Sequence, residues 1–270
     1  MIPEGLTEYA DGDILAGVKG AVGHIVINTP QRRNAMSKAM FTAGGQVARE
    51  MAENPAVRLL VVEGAGGKAF ASGADISKFE QERSTPEQVA EYSKRTDEFY
   101  SGIYDFPKPT IAKIRGVCVG GGLALAVCCD LRICEEASRF AVPAGKLGLG
   151  YGFDGVKKLA DIVGVSRAKE IFFTARLFSS QEAYDMGLVN KALPPQLLDA
   201  FVDDYAKRIS ENAPMTLAQI KAIGQDINKD PDDRDLARLQ AMVDACFNSE
   251  DYKEGRRAFM EKRKPNFRGM

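Results

Sequence analysis

The sequence predicts an α/β protein that ends in an all-helical region. Strand-like and helix-like hydrophobic periods alternate through the first two thirds of the chain, glycine-rich turns punctuate them, and beyond about residue 195 only helical stripes remain. The reading divides the chain into a core of residues 1–195 and a helical region, 196–270, suited to oligomerisation.

Each element has its own signal. Asp13–Lys19 and Gly23–Asn28 read as the two arms of a hairpin, and Met36, Met40, Val47 and Met51 fall near helical spacing within Ala35–Ala52. Arg58-Leu-Leu-Val-Val-Glu63 is a buried strand, followed by the turn Gly64–Gly67 and the segment Phe70–Ile76. A long helix over Pro86–Asp105 places Val89, Tyr92, Phe99, Ile103 and Tyr104 on one face. Thr110–Arg115 is a strand, Gly121–Cys129 a short apolar helix, and Asp130–Cys134 and Arg139–Val142 are strands again. A strand-strand-helix unit therefore recurs, without a detectable sequence repeat. In the last region Leu197, Leu198, Phe201, Val202, Tyr205 and Ile209 form one stripe, and Leu236, Leu239, Met242, Val243, Cys246 and Phe247 another. Two helices cannot bury both stripes against each other, so a second subunit is the expected cover.

Composition excludes several classes of function. Hydrophobic residues make up 45% of the 270 and charged residues 27%, as in an ordinary globular protein. Lys plus Arg is 36 against 37 for Asp plus Glu, so no global field draws the chain to nucleic acid or an anionic membrane. No apolar run approaches the roughly 20 residues that span a bilayer, and Met1-Ile-Pro-Glu-Gly5 lacks the pattern of a signal peptide. A cytoplasmic location is expected. Five cysteines, Cys118, Cys128, Cys129, Cys134 and Cys246, show no paired C-x-x-C spacing and read as reduced core thiols. The single histidine, His24, rules out a two-histidine metal site and lies mid-strand, so it reads as structural rather than as a catalytic base. No metal and no separate cofactor are expected.

Two glycine-bearing segments carry the chemistry. Gly120-Gly121-Gly122 opens an apolar helix, where unpaired N–H groups and the helix dipole can hold a developing oxyanion without a Cβ in the way. Phe70-Ala-Ser-Gly-Ala-Asp-Ile76 follows a buried strand by a short connection, at the carboxyl end where α/β proteins commonly bind ligands. Two such backbone donors suit a thioester carbonyl that becomes an enolate.

With these pieces on the page the chain resembles the crotonase, or enoyl-CoA hydratase/isomerase, superfamily over nearly its whole length. The resemblance rests on Asn28-Thr-Pro-Gln-Arg-Arg-Asn-Ala-Met36, Phe70–Ile76, Val117-Cys-Val-Gly-Gly-Gly122 with Cys129-Asp-Leu-Arg-Ile133, Phe172-Phe-Thr-Ala-Arg176 and Gly187-Leu-Val-Asn190, in that order. It implies a spiral of strand-strand-helix turns with a helical C-terminal region, a homo-trimer or dimer of trimers, an acyl-CoA substrate in which coenzyme A enters only as part of the thioester, and a place in fatty acid metabolism. It implies that the amides of Ala74 and Gly121 form the oxyanion hole. Ser72, Asp75 and Ile76 would border the adenine, with Arg32 near the CoA and Phe259 and Lys262 reaching it from a neighbouring subunit.

The departures matter as much. Hydratases of this superfamily carry one Glu three residues after the second oxyanion glycine and another after the Pro that follows Phe140; here those positions hold Ala124 and Ala144. Methyl groups move no protons, which puts two-glutamate hydration in doubt. Two polar residues in Leu147–Val156 can compensate. Asp154 is a candidate lone base in an apolar setting, or alternatively the N-cap of the helix that follows. Tyr151 is placed like the active-site tyrosine of methylmalonyl-CoA decarboxylases, where CO₂ loss generates the enolate without a base; packing alone also accounts for it. Three readings stay open: a hydratase or isomerase, a malonyl-type decarboxylase, and a catalytically silent acyl-CoA binding protein. Gly150-Tyr-Gly-Phe-Asp-Gly155 matches G-x-G-x-x-G only formally, since it lies mid-chain with no acid at a strand end about 20 residues on. Pro231-Asp-Asp-Arg-Asp235 reads as a capped helix start.

Overall fold

A computed structural model describes residues 4–270. Eleven strands are found among the described residues: β1 (Thr7–Tyr9), β2 (Ile14–Lys19), β3 (Val22–Ile27), β4 (Leu59–Gly64), β5 (Ala69–Ala71), β6 (Thr110–Ile114), β7 (Val117–Val119), β8 (Leu131–Glu135), β9 (Arg139–Ala141), β10 (Phe178–Ser179) and β11 (Lys191–Leu193). The helices are α1 (Lys38–Glu53), α2 (Phe79–Glu82), α3 (Pro86–Tyr104), α4 (Gly121–Cys128), α5 (Ala144–Leu147), α6 (Phe153–Thr174), α7 (Ser180–Asp185), α8 (Leu198–Ser210), α9 (Pro214–Ile227), α10 (Leu236–Asn248) and α11 (Glu250–Met260).

Two sheets result, one in the order β1-β2-β3-β4-β6-β8-β11 and the other β10-β9-β7-β5. After the hairpin β2–β3 every neighbouring pair in the larger sheet is parallel, and so are β5–β7 and β7–β9 in the smaller. Successive turns thus put one strand in each sheet and then a helix: β4, β5 and α3, then β6, β7 and α4. This is the recurrent strand-strand-helix unit expected from the sequence, wound as a spiral. Apolar runs such as Leu59–Val62 are continuous because both faces of those strands are covered.

One face packs on α1, α3 and α4, with Phe41, Phe99, Met40 and Leu125 fully buried. The other face carries Leu59, Val61, Ile111 and Ile133, covered by Leu198, Val202 and Ala206 of α8. Here the structure differs from the expectation that a partner covers the first C-terminal stripe: the chain's own sheet does so. The second stripe is mostly open, with Leu239 buried but Leu236 and Phe247 exposed. Lys221 anchors α9 to the core through Asp130 (2.9 Å) and the Lys108 carbonyl (3.1 Å).

Under α8 lies a charged layer. Lys113 bridges Glu63 (2.6 Å) and Asp199 (3.1 Å), Arg115 reaches Asp199 (2.9 Å), and His24 Nδ1 stands 3.9 Å from Glu63. His24 is therefore beside polar chemistry, although it lines no part of the cavity described below. Burial first, then the charges of Lys113 and Lys19, lower its pKa to about 4. A depressed histidine keeps the folded state neutral while the unfolded chain takes up a proton near its ordinary value of 6.5. Stability is therefore expected to fall as pH drops from about 6.5 to about 4, by on the order of 3 kcal/mol if His24 acts alone. Chemical denaturation of wild type and His24→Gln across this range checks it; the variant should show a shallower acid slope.

Candidate functional site

The site is built by a loop that clamps a strand exit. Asn34 sits after β3 with a left-handed φ of 57°, fully buried. Its amide donates to the carbonyls of Ala65 (3.0 Å) and Ala69 (2.7 Å), while its carbonyl oxygen accepts from the Thr29 N–H (3.0 Å). The loop so held then grips the segment after β5. Ser72 N donates to Arg33 O (3.0 Å), Met36 N to Gly73 O (2.8 Å) and Asp75 N to Met36 O (2.9 Å), a parallel bridge between Met36 and Ala74. In such a bridge Ala74's own N–H points away from the partner strand, and no backbone carbonyl among the described residues accepts from it.

The second segment is the start of α4. Gly120 N donates to Ala141 O (2.8 Å), fixing the turn from β7 into the helix, and Gly121 is the first helical residue, whose N–H has no intrahelical partner. Gly122 lets α4 lie directly on β5, because any Cβ there would overlap the Ala71 carbonyl. Gly73 has φ 103°, open to glycine alone, and a Cβ on it would stand 3.2 Å from Gly121 N. A Cβ on Gly121 would come 3.6 Å from Ala74 N and 2.8 Å from Tyr100 Oη. The Ala74 and Gly121 amides therefore border one small space.

That space opens into a cavity of about 590 Å³. Ser72, Ala74, Ile76, Gly121, Tyr151 and Asp154 all line it, together with Ala124 and Ala144. The two alanines thus present methyl groups to the cavity. Asp154 is the second residue of α6, whose N-cap is Gly152, and its side chain caps nothing. The N-cap reading of Asp154 is thereby overturned: the loop enters the helix two residues earlier than expected. Tyr151 packs edge-on against Phe172 with centroids 5.0 Å apart, and desolvation at the cavity wall raises its pKa.

Other site residues lie outside the cavity. Asp75 is buried and caps a short 3₁₀ turn, its Oδ1 accepting from Ser77 N (3.1 Å) and Oγ (2.6 Å). Arg32 bonds Asp13 (3.0 Å) and faces Asp75 at 3.7 Å. Phe259 and Lys262 sit at the end of α11 and do not reach the cavity of their own chain. The formal G-x-G-x-x-G string lines the cavity.

Sequence reasoning missed four titratable lining residues. Tyr100 donates to Gly121 O (2.9 Å), and burial, then Tyr151, hold its hydroxyl well above the ordinary phenol range, so it stays neutral. Asp97 faces the cavity from α3; burial and the nearby Asp154 raise its pKa against the pull of Lys158. Tyr92 reads from the sequence as a packing residue of α3, and Arg83, between α2 and α3, belongs to no pattern there. The available signal was that Tyr92, Ser93, Thr96, Asp97 and Tyr100 repeat at helical spacing on α3, a polar stripe beside its apolar one.

The comparisons agree with this geometry. The sequence model of the enoyl-CoA hydratase/isomerase family matches residues 17–270. A crotonyl-CoA hydratase of Syntrophomonas wolfei is 35% identical over 90% of this chain and 93% of its own. A methylmalonyl-CoA decarboxylase of Escherichia coli is 32% identical over 92% and 95%. The crystal structure of an enoyl-CoA hydratase from Bacillus anthracis superposes with a TM-score of 0.89 at 30% identity, covering 96% of this chain and 100% of that one. Fold and cavity together define an acyl-CoA enzyme of the hydratase/isomerase type. The chain belongs to the enoyl-CoA hydratase/isomerase family.

Removing the Asn34 side chain strands two buried carbonyls and one N–H, each worth about 1–3 kcal/mol when unsatisfied. Asn34→Ala should lower stability by more than about 2 kcal/mol in denaturant titration. Any folded fraction should bind acyl-CoA more weakly, because the strap carrying Ala74 loses its anchor.

Proposed function

We propose that this protein holds an acyl-CoA thioester with its carbonyl oxygen on the Ala74 and Gly121 amides and shifts a double bond by moving one proton. A proton leaves the α carbon of a 3-enoyl thioester for a carboxylate, the electron pair delocalises onto the oxygen between the two amides, and the proton returns at the γ carbon to give the 2-enoyl ester. One base suffices, whereas hydration needs a second group to activate water. The carrying observation is that Ala124 and Ala144 turn methyl groups to the cavity while Asp154 faces it with no capping duty. Asp154 is the base in this reading, and Tyr100 holds the Gly121 peptide in place.

A decarboxylase is the second reading. Tyr151 on the cavity wall favours it, since a neutral phenol can protonate the enolate that CO₂ loss leaves behind. A silent binding protein is the third. Ser72, Ile76 and Arg32, on or beside the cavity mouth, are proposed to meet the CoA with Asp75 as their support. We assign residues 196–270 an oligomerisation role in a trimer or dimer of trimers, with Phe259 and Lys262 completing a neighbour's CoA site. The exposed Phe247, Phe259 and Met260 support this.

Purified protein should convert a 3-enoyl-CoA faster than it hydrates crotonyl-CoA, and Asp154→Asn should lower that kcat at least about a hundredfold. Unchanged turnover in the variant would remove Asp154 as base. CO₂ release from methylmalonyl-CoA that Tyr151→Phe slows would select the decarboxylase, and binding without any turnover the silent protein. Ala124→Glu combined with Ala144→Glu is expected to raise crotonyl-CoA hydration by at least about tenfold over wild type, read as loss of enoyl absorbance.

A further inference from the structure

Arg83 lies on the cavity wall between two aromatic rings, its guanidinium carbon 3.9 Å from the Phe79 centroid and 3.7 Å from the Tyr92 centroid. Ring faces hold a guanidinium by its charge and leave its planar edge of N–H donors free. Among the described residues Arg83 enters no ion pair, and its Nε is buried without a hydrogen-bond partner. Tyr92 is 4% exposed, and its buried hydroxyl likewise finds no acceptor among the described residues. Burial raises the pKa of that phenol, and the charge and side-chain contact of Arg83 act against it, so guanidinium and hydroxyl stand side by side as one group of donors. Buried donors of this kind are ordinarily paired with an acceptor, and a cation beside a hydroxyl matches a carboxylate, which accepts from both.

Position narrows the ligand. Tyr92 and Tyr100 are eight residues apart on α3, about 12 Å along the axis, and the Phe41 ring stands between them at 5.6 and 5.8 Å. Tyr100 marks the end where the two amides lie, so Arg83 marks the opposite end. Phe41 between them, with Val89 and Leu149 elsewhere on the wall, supplies apolar lining for a methylene chain. We propose that the acyl group of the substrate carries a second carboxylate at its far end, received by Arg83 and the Tyr92 hydroxyl. The preferred substrate is then the mono-CoA thioester of a dicarboxylic acid. This rests on the thioester reading above for the orientation of the chain.

Calorimetric binding of trans-2-hexenoyl-CoA, of its counterpart with a terminal carboxylate in place of the methyl group, and of free CoA tests this with the full chain. Wild type should bind the carboxylated ester at least about tenfold more tightly than the plain one. Arg83→Met should abolish that preference, Arg83→Lys retain part of it, and free CoA should bind all three alike. If Arg83→Met does not fold, Tyr92→Phe, which keeps the ring sandwich, should reduce the preference about threefold. No preference in wild type, or an Arg83→Met variant that weakens both esters and free CoA equally, overturns the proposal, the latter by assigning Arg83 to the CoA phosphates. A preference that persists although no thioester is turned over upholds carboxylate recognition and removes the enzyme reading instead.

Discussion

The site depends on one buried side chain amide. Asn34 ties the loop after β3 to the turn between β4 and β5, and that loop then sets the register of Gly73–Asp75 through three backbone hydrogen bonds. Only with the 73 carbonyl and the 75 amide committed to Met36 does the intervening Ala74 N–H face the cavity. The constraint works because a parallel bridge spends alternate residues on pairing and leaves the others to point away. Close packing of α4 on β5, which only glycine at position 122 permits, brings the second amide to the same place. Two unrelated local devices therefore meet within a few ångströms, and the spiral exists to hold them in register.

Much of this was legible in the sequence. Continuous apolar runs flanked by turns announce buried strands, and Leu59–Gly64 and Thr110–Ile114 lie within a residue or so of where Arg58–Glu63 and Thr110–Arg115 were expected. The three glycines at 120–122 stand out because few other tasks require such a run at a helix start, and Gly73 within Ser72–Asp75 marks the second segment. What stayed hidden depends on which faces meet in space. β1, three residues long and largely exposed, has no hydrophobic period to reveal it. The covering of α8 by the sheet was invisible because a helical stripe says that a surface is buried, not what buries it. His24 looked isolated in a strand, yet parallel pairing of β3 with β4 and β4 with β6 brings it to Glu63 and Lys113, residues 39 and 89 positions away by numbering.

Asp154 shows how local rules mislead at a functional site. An acid just ahead of a helical run satisfies every sequence criterion for an N-cap, and the chain uses Gly152 instead, with no side-chain bond at all. A glycine N-cap forgoes only a few tenths of a kcal/mol relative to an aspartate, and the carboxylate so released faces a cavity. Polar groups on α3 escaped notice for a different reason. Tyr92, Asp97 and Tyr100 share a helix with a strong apolar face, and helical periodicity assigns aromatic residues to packing unless something polar is known to lie opposite.

The distribution of charge across the cavity gives the arrangement its chemical direction. At the amide end the inner wall is methyl-lined by Ala124 and Ala144, so no fixed carboxylate opposes an enolate forming there. Carboxylates Asp97 and Asp154 lie near each other on the wall, where Lys158 moderates their mutual repulsion. The cation Arg83 stands at the other end of α3, clamped by two rings and without an acidic partner. An anion drawn into this cavity is therefore pulled toward Arg83 and repelled by Asp97 and Asp154. A chain bearing charge at its far end would be fixed in both position and direction by that single contact, leaving the thioester end to be placed by the two amides. Pinning both ends of a flexible chain restricts where its α carbon can lie, and such restriction is what would let a single carboxylate on the wall act on one carbon among several.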